Sequence, residues 1–83
     1  MQKKIEIYTV DYCPYCHKAL AFFKENNIEY EQHDITQNEK EMRQKLGEKF
    51  EIKGDVTVPQ IIADGKRIGG YSDIIKAGKF WEN

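Results

Sequence analysis

The two cysteines of this sequence stand three positions apart, as Cys13-Pro14-Tyr15-Cys16. A thiol pair at that spacing exchanges disulfides or binds a metal, and the local field and the other ligands on offer decide which. Before the pair, Ile5, Ile7 and Thr9 alternate with Glu6, Tyr8 and Val10, which predicts a half-buried strand over residues 4–10. After it, Cys16, Ala19, Leu20 and Phe23 recur at i, i+3, i+4 and i+7, one face of a helix that Asn26-Asn27 ends. Pro14 suits the first turn of that helix, where its missing N–H costs nothing. Cys13 then lies at the helix N-terminus, where unpaired N–H groups and the dipole favour a thiolate. It is expected to be exposed, ionised and the nucleophile. Cys16, one turn on, shares the apolar stripe and is expected to be a sheltered thiol that closes the ring and releases product.

Other chemistries fit less well. A zinc site needs four ligands, and His17 and His33 lack a second paired spacing. Cys13-Pro14-Tyr15-Cys16-His17 also matches the CxxCH pattern of covalent haem, with Met42 available as an axial ligand. Haem attachment follows export, however, and the alternating N-terminus does not read as a signal segment. Two inert structural cysteines would leave the electropositive helix start unused. No resident metal is expected.

Two further motifs carry chemistry. Thr57-Val58-Pro59 precedes the apolar run Gln60-Ile61-Ile62-Ala63. A cis Val58–Pro59 bond would turn the Val58 N–H and C=O outward, where an extended peptide could pair with both. The plain alternative is a proline that merely starts a strand. Gly69-Gly70-Tyr71-Ser72-Asp73 combines close-approach glycines with a helix start that offers N–H groups to an anion. Ser72 could add a hydroxyl and Asp73 could meet an ammonium, together suiting an amino-acid head group. Equally, Ser72 could be an ordinary N-cap with Asp73 complementing the dipole.

The elements that position these motifs follow from the rest of the pattern. A second, weaker strand is expected over residues 28–35, and a polar helix over 38–50 touches the core through Met42, Leu46 and Phe50, with Gly47 weakening its last turn. Asp64-Gly65 between residues 60–63 and 66–68 is a strong hairpin signal. A last helix starts near Ser72-Asp73, and Trp81 is expected to pack it down. The fold class is α/β, in the order β-α-β-α-β-β-α: a mixed four-stranded sheet with about three covering helices, the first crossover parallel and the hairpin antiparallel.

The chain has 83 residues, read as one domain over 1–83, with 13 basic and 14 acidic side chains and a formal charge of −1. That balance argues against a nucleic-acid surface, and no stretch approaches a membrane span, so neither nucleic acid nor membrane is an expected partner. A cytoplasmic location is expected, where two such cysteines suggest redox chemistry rather than a structural staple.

Cys-Pro-Tyr-Cys, Thr-Val-Pro and Gly-Gly-Tyr-Ser-Asp, in this order and over nearly the whole chain, resemble the dithiol glutaredoxins. The resemblance implies a thioredoxin-like fold and a monomeric glutathione-dependent thiol–disulfide oxidoreductase of electron transport and redox homeostasis. It implies reduction of protein disulfides and glutathione mixed disulfides, with glutathione as co-substrate and no permanently bound cofactor. It further implies disulfide-containing protein substrates, ribonucleotide reductase being a common one in the family. Cys13 would be the glutathionylated nucleophile and Cys16 the resolver. Tyr15, Thr57, Val58, Pro59, Gly70, Tyr71, Ser72 and Asp73 would bind glutathione: Val58 through its backbone, a cis Pro59 beside it, and Gly70, Ser72 and Asp73 at the γ-glutamyl head. The other reading is an iron–sulfur cluster carrier bridging two chains through Cys13 and glutathione, which Pro14 disfavours. Two departures stand out. Val10 occupies a place where many members carry a lysine for the glycyl carboxylate, so a lysine restored there is expected to strengthen glutathione binding. The alternatives are that Val10 packs inward, where a lysine would cost stability, or that Lys18 or Lys53 already meets the carboxylate. The stretch from Glu51 to Asp55 lacks a cleft arginine, leaving Lys53 as the nearby cation.

Overall fold

Period-2 alternation places Ile5, Ile7 and Thr9 of β1 (Ile5–Thr9) in the interior and leaves Glu6 and Tyr8 half-buried. The computed structural model, which describes residues 2–83, builds outward from that strand. β1 leads into α1 (Pro14–Glu25), then β2 (Glu31–Asp34), a 3-10 turn (Thr36–Asn38), α2 (Glu39–Lys49), β3 (Gln60–Ala63), β4 (Lys66–Gly69) and α3 (Tyr71–Lys76). The strands lie in the order β2-β1-β3-β4. β1 pairs parallel with β2, while β3 pairs antiparallel with both β1 and β4, so the expected mixed sheet and element order are what the chain adopts.

Two apolar clusters hold the helices to the sheet. Ile5 and Ile7 of β1, Ala19 and Phe23 of α1, Ile61 and Ala63 of β3 and Ile74 of α3 form the larger one. Val10, Cys13, Cys16 and Ile35 form the smaller, with Tyr8, Met42 of α2 and Val58 packed against it. Both thiols therefore belong to the second cluster, at the ends of β1 and β2.

Several boundaries differ from the sequence reading, each for a physical reason. β2 is only four residues long: Ile28 and Ile35 are buried, yet lie outside the ladder that pairs Glu31–Asp34 with Glu6–Thr9. It is an edge strand of polar residues, which discourages pairing with another chain. The 3-10 turn arises because Asp34 Oδ1 accepts from the Thr36 N–H (2.9 Å) and from its hydroxyl (2.6 Å), a side-chain-closed turn. In α2, Leu46 is buried and Met42 and Phe50 half-buried, as expected. Gly47 earns its place there by packing, since a Cβ would come within 3.2 Å of Val56 Cγ2. Asp64 (φ 48°) and Gly65 (φ 79°) both take left-handed conformations, the geometry of a two-residue I′ hairpin turn. α3 ends at Lys76, so Trp81 lies beyond it, packing against the larger cluster that includes Ile74 of α3 and against Phe22 of α1 (ring centroids 6.0 Å apart). The Trp81 carbonyl also accepts from the Lys3 N–H at 2.7 Å, tying the end of the chain to its start.

A candidate thiol–disulfide exchange site

Cys13 is the N-cap of α1, with extended dihedrals (φ −99°, ψ 111°) and Pro14 immediately inside the helix. Its Sγ accepts a hydrogen bond from the Cys16 N–H at 3.1 Å, so the cap acceptor is the sulfur itself. No acidic side chain occupies the first turn of α1, which leaves the positive end of the helix to the sulfur. Cys13 is less open than expected, only 8% exposed, because it packs in the smaller cluster and its thiol meets the Val58 carbonyl at 3.5 Å. The expectation of an exposed sulfur is corrected: Cys13 is covered by its cluster and by the carbonyl of the groove residue Val58.

Cys16 is fully buried (0%), as the apolar stripe predicts, and neither cysteine is in a disulfide. Burial pushes the Cys16 thiol up to about 12, and the hydrogen bond and charge of the neighbouring Cys13 add to that, while a hydrogen bond involving the Val10 backbone opposes it. The two thiols, one helical turn apart, are chemically unlike: one is held at a helix N-terminus, the other kept as a neutral thiol behind it.

The Val58–Pro59 bond is cis. A groove of about 470 Å³ opens beside it, lined by Tyr15, Thr57, Val58 and Pro59 on one side and by Gly70, Tyr71, Ser72 and Asp73 on the other. All eight side chains and backbone segments singled out in the sequence for ligand contact thus meet in one place. The Tyr15 and Tyr71 rings stand 6.1 Å apart, and Lys18 Nζ lies 5.1 Å above Tyr15. A larger groove of about 550 Å³ lies along Gln2–Ile5 and Glu29–Glu31, but unlike the first it includes no residue that touches a thiol through a hydrogen bond, as Val58 does with Cys13.

Gly70 lies against the proline loop, where a Cβ would meet the Pro59 carbonyl at 3.4 Å, an ordinary contact distance. Gly69 has φ 127°, and a Cβ there would press on the Asp73 side chain, 2.4 Å from its Oδ2. The N-cap of α3 is Gly70, not Ser72. The capping acceptor is Asp73, whose Oδ2 takes the Gly70 N–H at 2.9 Å. Ser72 lies one turn position inside the helix, so the ordinary-cap reading of its hydroxyl is set aside.

Gln60 and Arg67 also line the groove and were missed in the sequence. Gln60 is 3% exposed and donates to the Thr57 carbonyl (2.8 Å) and hydroxyl (3.3 Å), while Arg67 Nη1 reaches Gln60 Oε1 at 3.4 Å. The signal was present: an Asp64-Gly65 turn sets Arg67 opposite Ile62, two residues along β3 from Gln60 and hence on the same face. Val10, by contrast, is interior (1% exposed), packed with both cysteines and Ile35. A lysine there would enter the core rather than the groove, so the expected strengthening of glutathione binding does not follow.

Comparison with known proteins agrees with this geometry. The glutaredoxin family model matches residues 5–68. Glutaredoxin 3 of Escherichia coli K12 is 37% identical over 70 residues, covering 84% of this chain and 80% of its own length. Glutaredoxin 1 of Rickettsia prowazekii is 37% identical over 75 residues, covering 90% and 77%. Among solved structures, glutaredoxin 1 of Francisella tularensis superposes with a TM-score of 0.77 at 30% identity over 88% of both chains. A buckwheat glutaredoxin–glutathione complex superposes with a TM-score of 0.78 at 23% identity, over 94% of this chain and 73% of that one. With its paired cysteines at the end of the first strand, its thioredoxin-like sheet and these relatives over most of its length, the chain belongs to the glutaredoxin family, as a glutaredoxin-type oxidoreductase of the dithiol kind.

Proposed function

We propose that this protein reduces glutathione mixed disulfides and protein disulfides, with Cys13 as nucleophile, Cys16 as resolver and glutathione as the reducing co-substrate. The observation that carries the reading is the inequality of the thiols: Cys13 caps α1 and its sulfur meets the carbonyl of the groove residue Val58, while Cys16 is fully buried and pushed up to about 12. The Cys13 thiolate attacks the glutathione sulfur of a mixed disulfide, and the substrate leaves as a thiolate that takes a proton from solvent. A second glutathione thiolate then attacks the glutathione sulfur on Cys13, giving oxidised glutathione and restoring the Cys13 thiolate. With a protein disulfide, the mixed disulfide on Cys13 is resolved by Cys16, which loses its proton, forms the Cys13–Cys16 disulfide and releases the second substrate thiol. Two of the influences that hold Cys16 protonated, the Cys13 charge and hydrogen bond, vanish once Cys13 is in a neutral disulfide. Burial, the largest influence, remains, so the Cys16 proton is held less firmly in the mixed disulfide than in the reduced pair.

Glutathione would lie along the groove, its cysteine backbone against Val58, flanked by Thr57, cis Pro59 and the rings of Tyr15 and Tyr71. Its γ-glutamyl head would sit at Gly70, Ser72 and Asp73. A helix start and a carboxylate side by side suit a carboxylate and an ammonium on one carbon, and the buckwheat relative was crystallised with glutathione. Arg67 is the groove's own cation. Protein partners would be disulfide-bearing substrates, ribonucleotide reductase among those common in the family; we take the working form to be a cytoplasmic monomer occupying one domain over residues 1–83. Among the described residues, no helix is long and apolar enough to cross a membrane. The test is turnover of a small glutathione mixed disulfide with glutathione and its reductase. Steady consumption of glutathione supports the reading, and absence of turnover with both thiols reduced refutes it.

A further inference from the structure

We propose that Tyr12, Glu39 and Arg43 form a strut that sets the spacing between Cys13 and the Val58 edge of the groove, with Arg43 as a positioning residue. The inference rests on the glutathione chemistry proposed above. Tyr12 is the chain neighbour of Cys13, and its hydroxyl lies 2.6 Å from both carboxylate oxygens of Glu39, at the start of α2. One turn later Arg43 Nη2 meets Glu39 Oε2 at 2.7 Å, and Arg43 Nη1 donates to the Val56 carbonyl. Val56 is two residues from Val58, whose carbonyl faces Cys13 Sγ. The contacts thus close a ring that passes from the nucleophile's neighbour, through α2, to the loop on the other side of the cleft.

Three features distinguish this ring from a surface ion pair. Tyr12 is 63% exposed, so its ring contributes little burial and its hydroxyl is what the network uses. Arg43 Nε is buried with no hydrogen-bond partner among the described residues, so its two terminal nitrogens, bound to Glu39 and Val56, fix the guanidinium. The Val56 side chain also packs close to Gly47 of α2, where a Cβ would come within 3.2 Å of its Cγ2. α2 also carries a natural control: the Glu41–Lys45 pair has the same spacing, but both side chains are 64% exposed. A lysine at position 43 would keep the charge but could not grip Glu39 and Val56 with two fixed donors.

The test compares the unaltered protein with Tyr12→Phe, Arg43→Lys, the double variant and Glu41→Gln. Turnover of a glutathione mixed disulfide and hydrogen exchange over residues 56–58 are both measured. The strut predicts that each single variant raises the apparent KM about fivefold with kcat within about twofold, and that the double variant is no worse than Arg43→Lys, because both cut one chain of contacts. Exchange over 56–58 should quicken in the same variants and remain unchanged in Glu41→Gln. Unchanged exchange and KM in Tyr12→Phe, whose exposed ring is retained and whose folding is not at stake, would overturn the strut, as would multiplying effects in the double variant. If the unaltered protein failed to turn over the mixed disulfide, the functional reading would fall, and hydrogen exchange would still decide the strut.

Discussion

Cys16 is worth following first, because its environment makes a statement about stability as well as chemistry. Its folded-state value is raised from 9.0 to about 12 by burial and by Cys13. The folded protein therefore holds this proton where the unfolded chain has released it. Its contribution to stability is full below about 9 and is lost as pH rises through about 12. Tyr8 and Tyr12 are raised too, the first chiefly by burial and the second chiefly by its hydrogen bond to Glu39, so they slope the same way. They are common to wild type and Cys16→Ala, and the difference between the two melting curves isolates the thiol. The wild-type melting temperature should fall more steeply than that of Cys16→Ala between pH 9 and 11; parallel curves would refute a raised Cys16. At the other end of the groove, Asp73 holds the Gly70 N–H with one oxygen. Asn in its place can keep that bond while losing the charge for an ammonium. A hydrogen bond to a charged group is worth about 1.5–3 kcal/mol, so Asp73→Asn should cut turnover at limiting glutathione about tenfold or more. A changed melting temperature with unchanged kinetics would make Asp73 a cap and nothing else.

At the scale of elements, the site is a meeting of three chain turns: the β1–α1 turn with the thiols, the α2–β3 loop with the cis proline, and the β4–α3 turn with the paired glycines. The end of β1 serves as floor to the first of these. Val10 is 1% exposed and packs with Cys13, Cys16 and Ile35, so the cation that the family pattern places there has no room. Val10→Lys is expected to lose core packing and to bury an ammonium without a partner. The cost should be about 3 kcal/mol, a fall in melting temperature of more than about 10 °C in a domain this size. A stable variant with tighter glutathione binding would instead place that side chain in the groove and contradict the packing described here. Gln60 illustrates the opposite case, a polar side chain buried in β3 because it spans the start of that strand and the Thr57 backbone.

For the whole molecule, most of the architecture is legible in local patterns. The alternation in β1, the stripe Cys16-Ala19-Leu20-Phe23 and the Asp64-Gly65 turn are each set by residues close in sequence, and they specify β1, α1 and the β3–β4 hairpin. What local patterns did not carry was set by distant packing: the shortness of β2, the close approach that makes Gly47 useful, and the seating of Trp81 on Phe22 of α1. The same division holds for the groove. Motif residues adjacent in sequence came together as expected, whereas Arg67, Gln60 and Arg43 act on it through register and tertiary contact. Exposure of Cys13 was overestimated because a helix start says where a sulfur is, not what covers it; the Val58 loop does the covering.

The claim on which all of this turns is that Cys13 attacks and Cys16 resolves. The direct measurement is turnover of a glutathione mixed disulfide and of a protein disulfide by Cys13→Ser and Cys16→Ser in parallel. Cys13→Ser should be inactive on both substrates, since the sulfur at the start of α1 is gone. Cys16→Ser should still turn over the mixed disulfide, where a second glutathione resolves the intermediate, and should lose most of its activity on the protein disulfide. Equal loss of mixed-disulfide turnover in the two variants, or activity surviving in Cys13→Ser, would contradict the division of labour between the thiols.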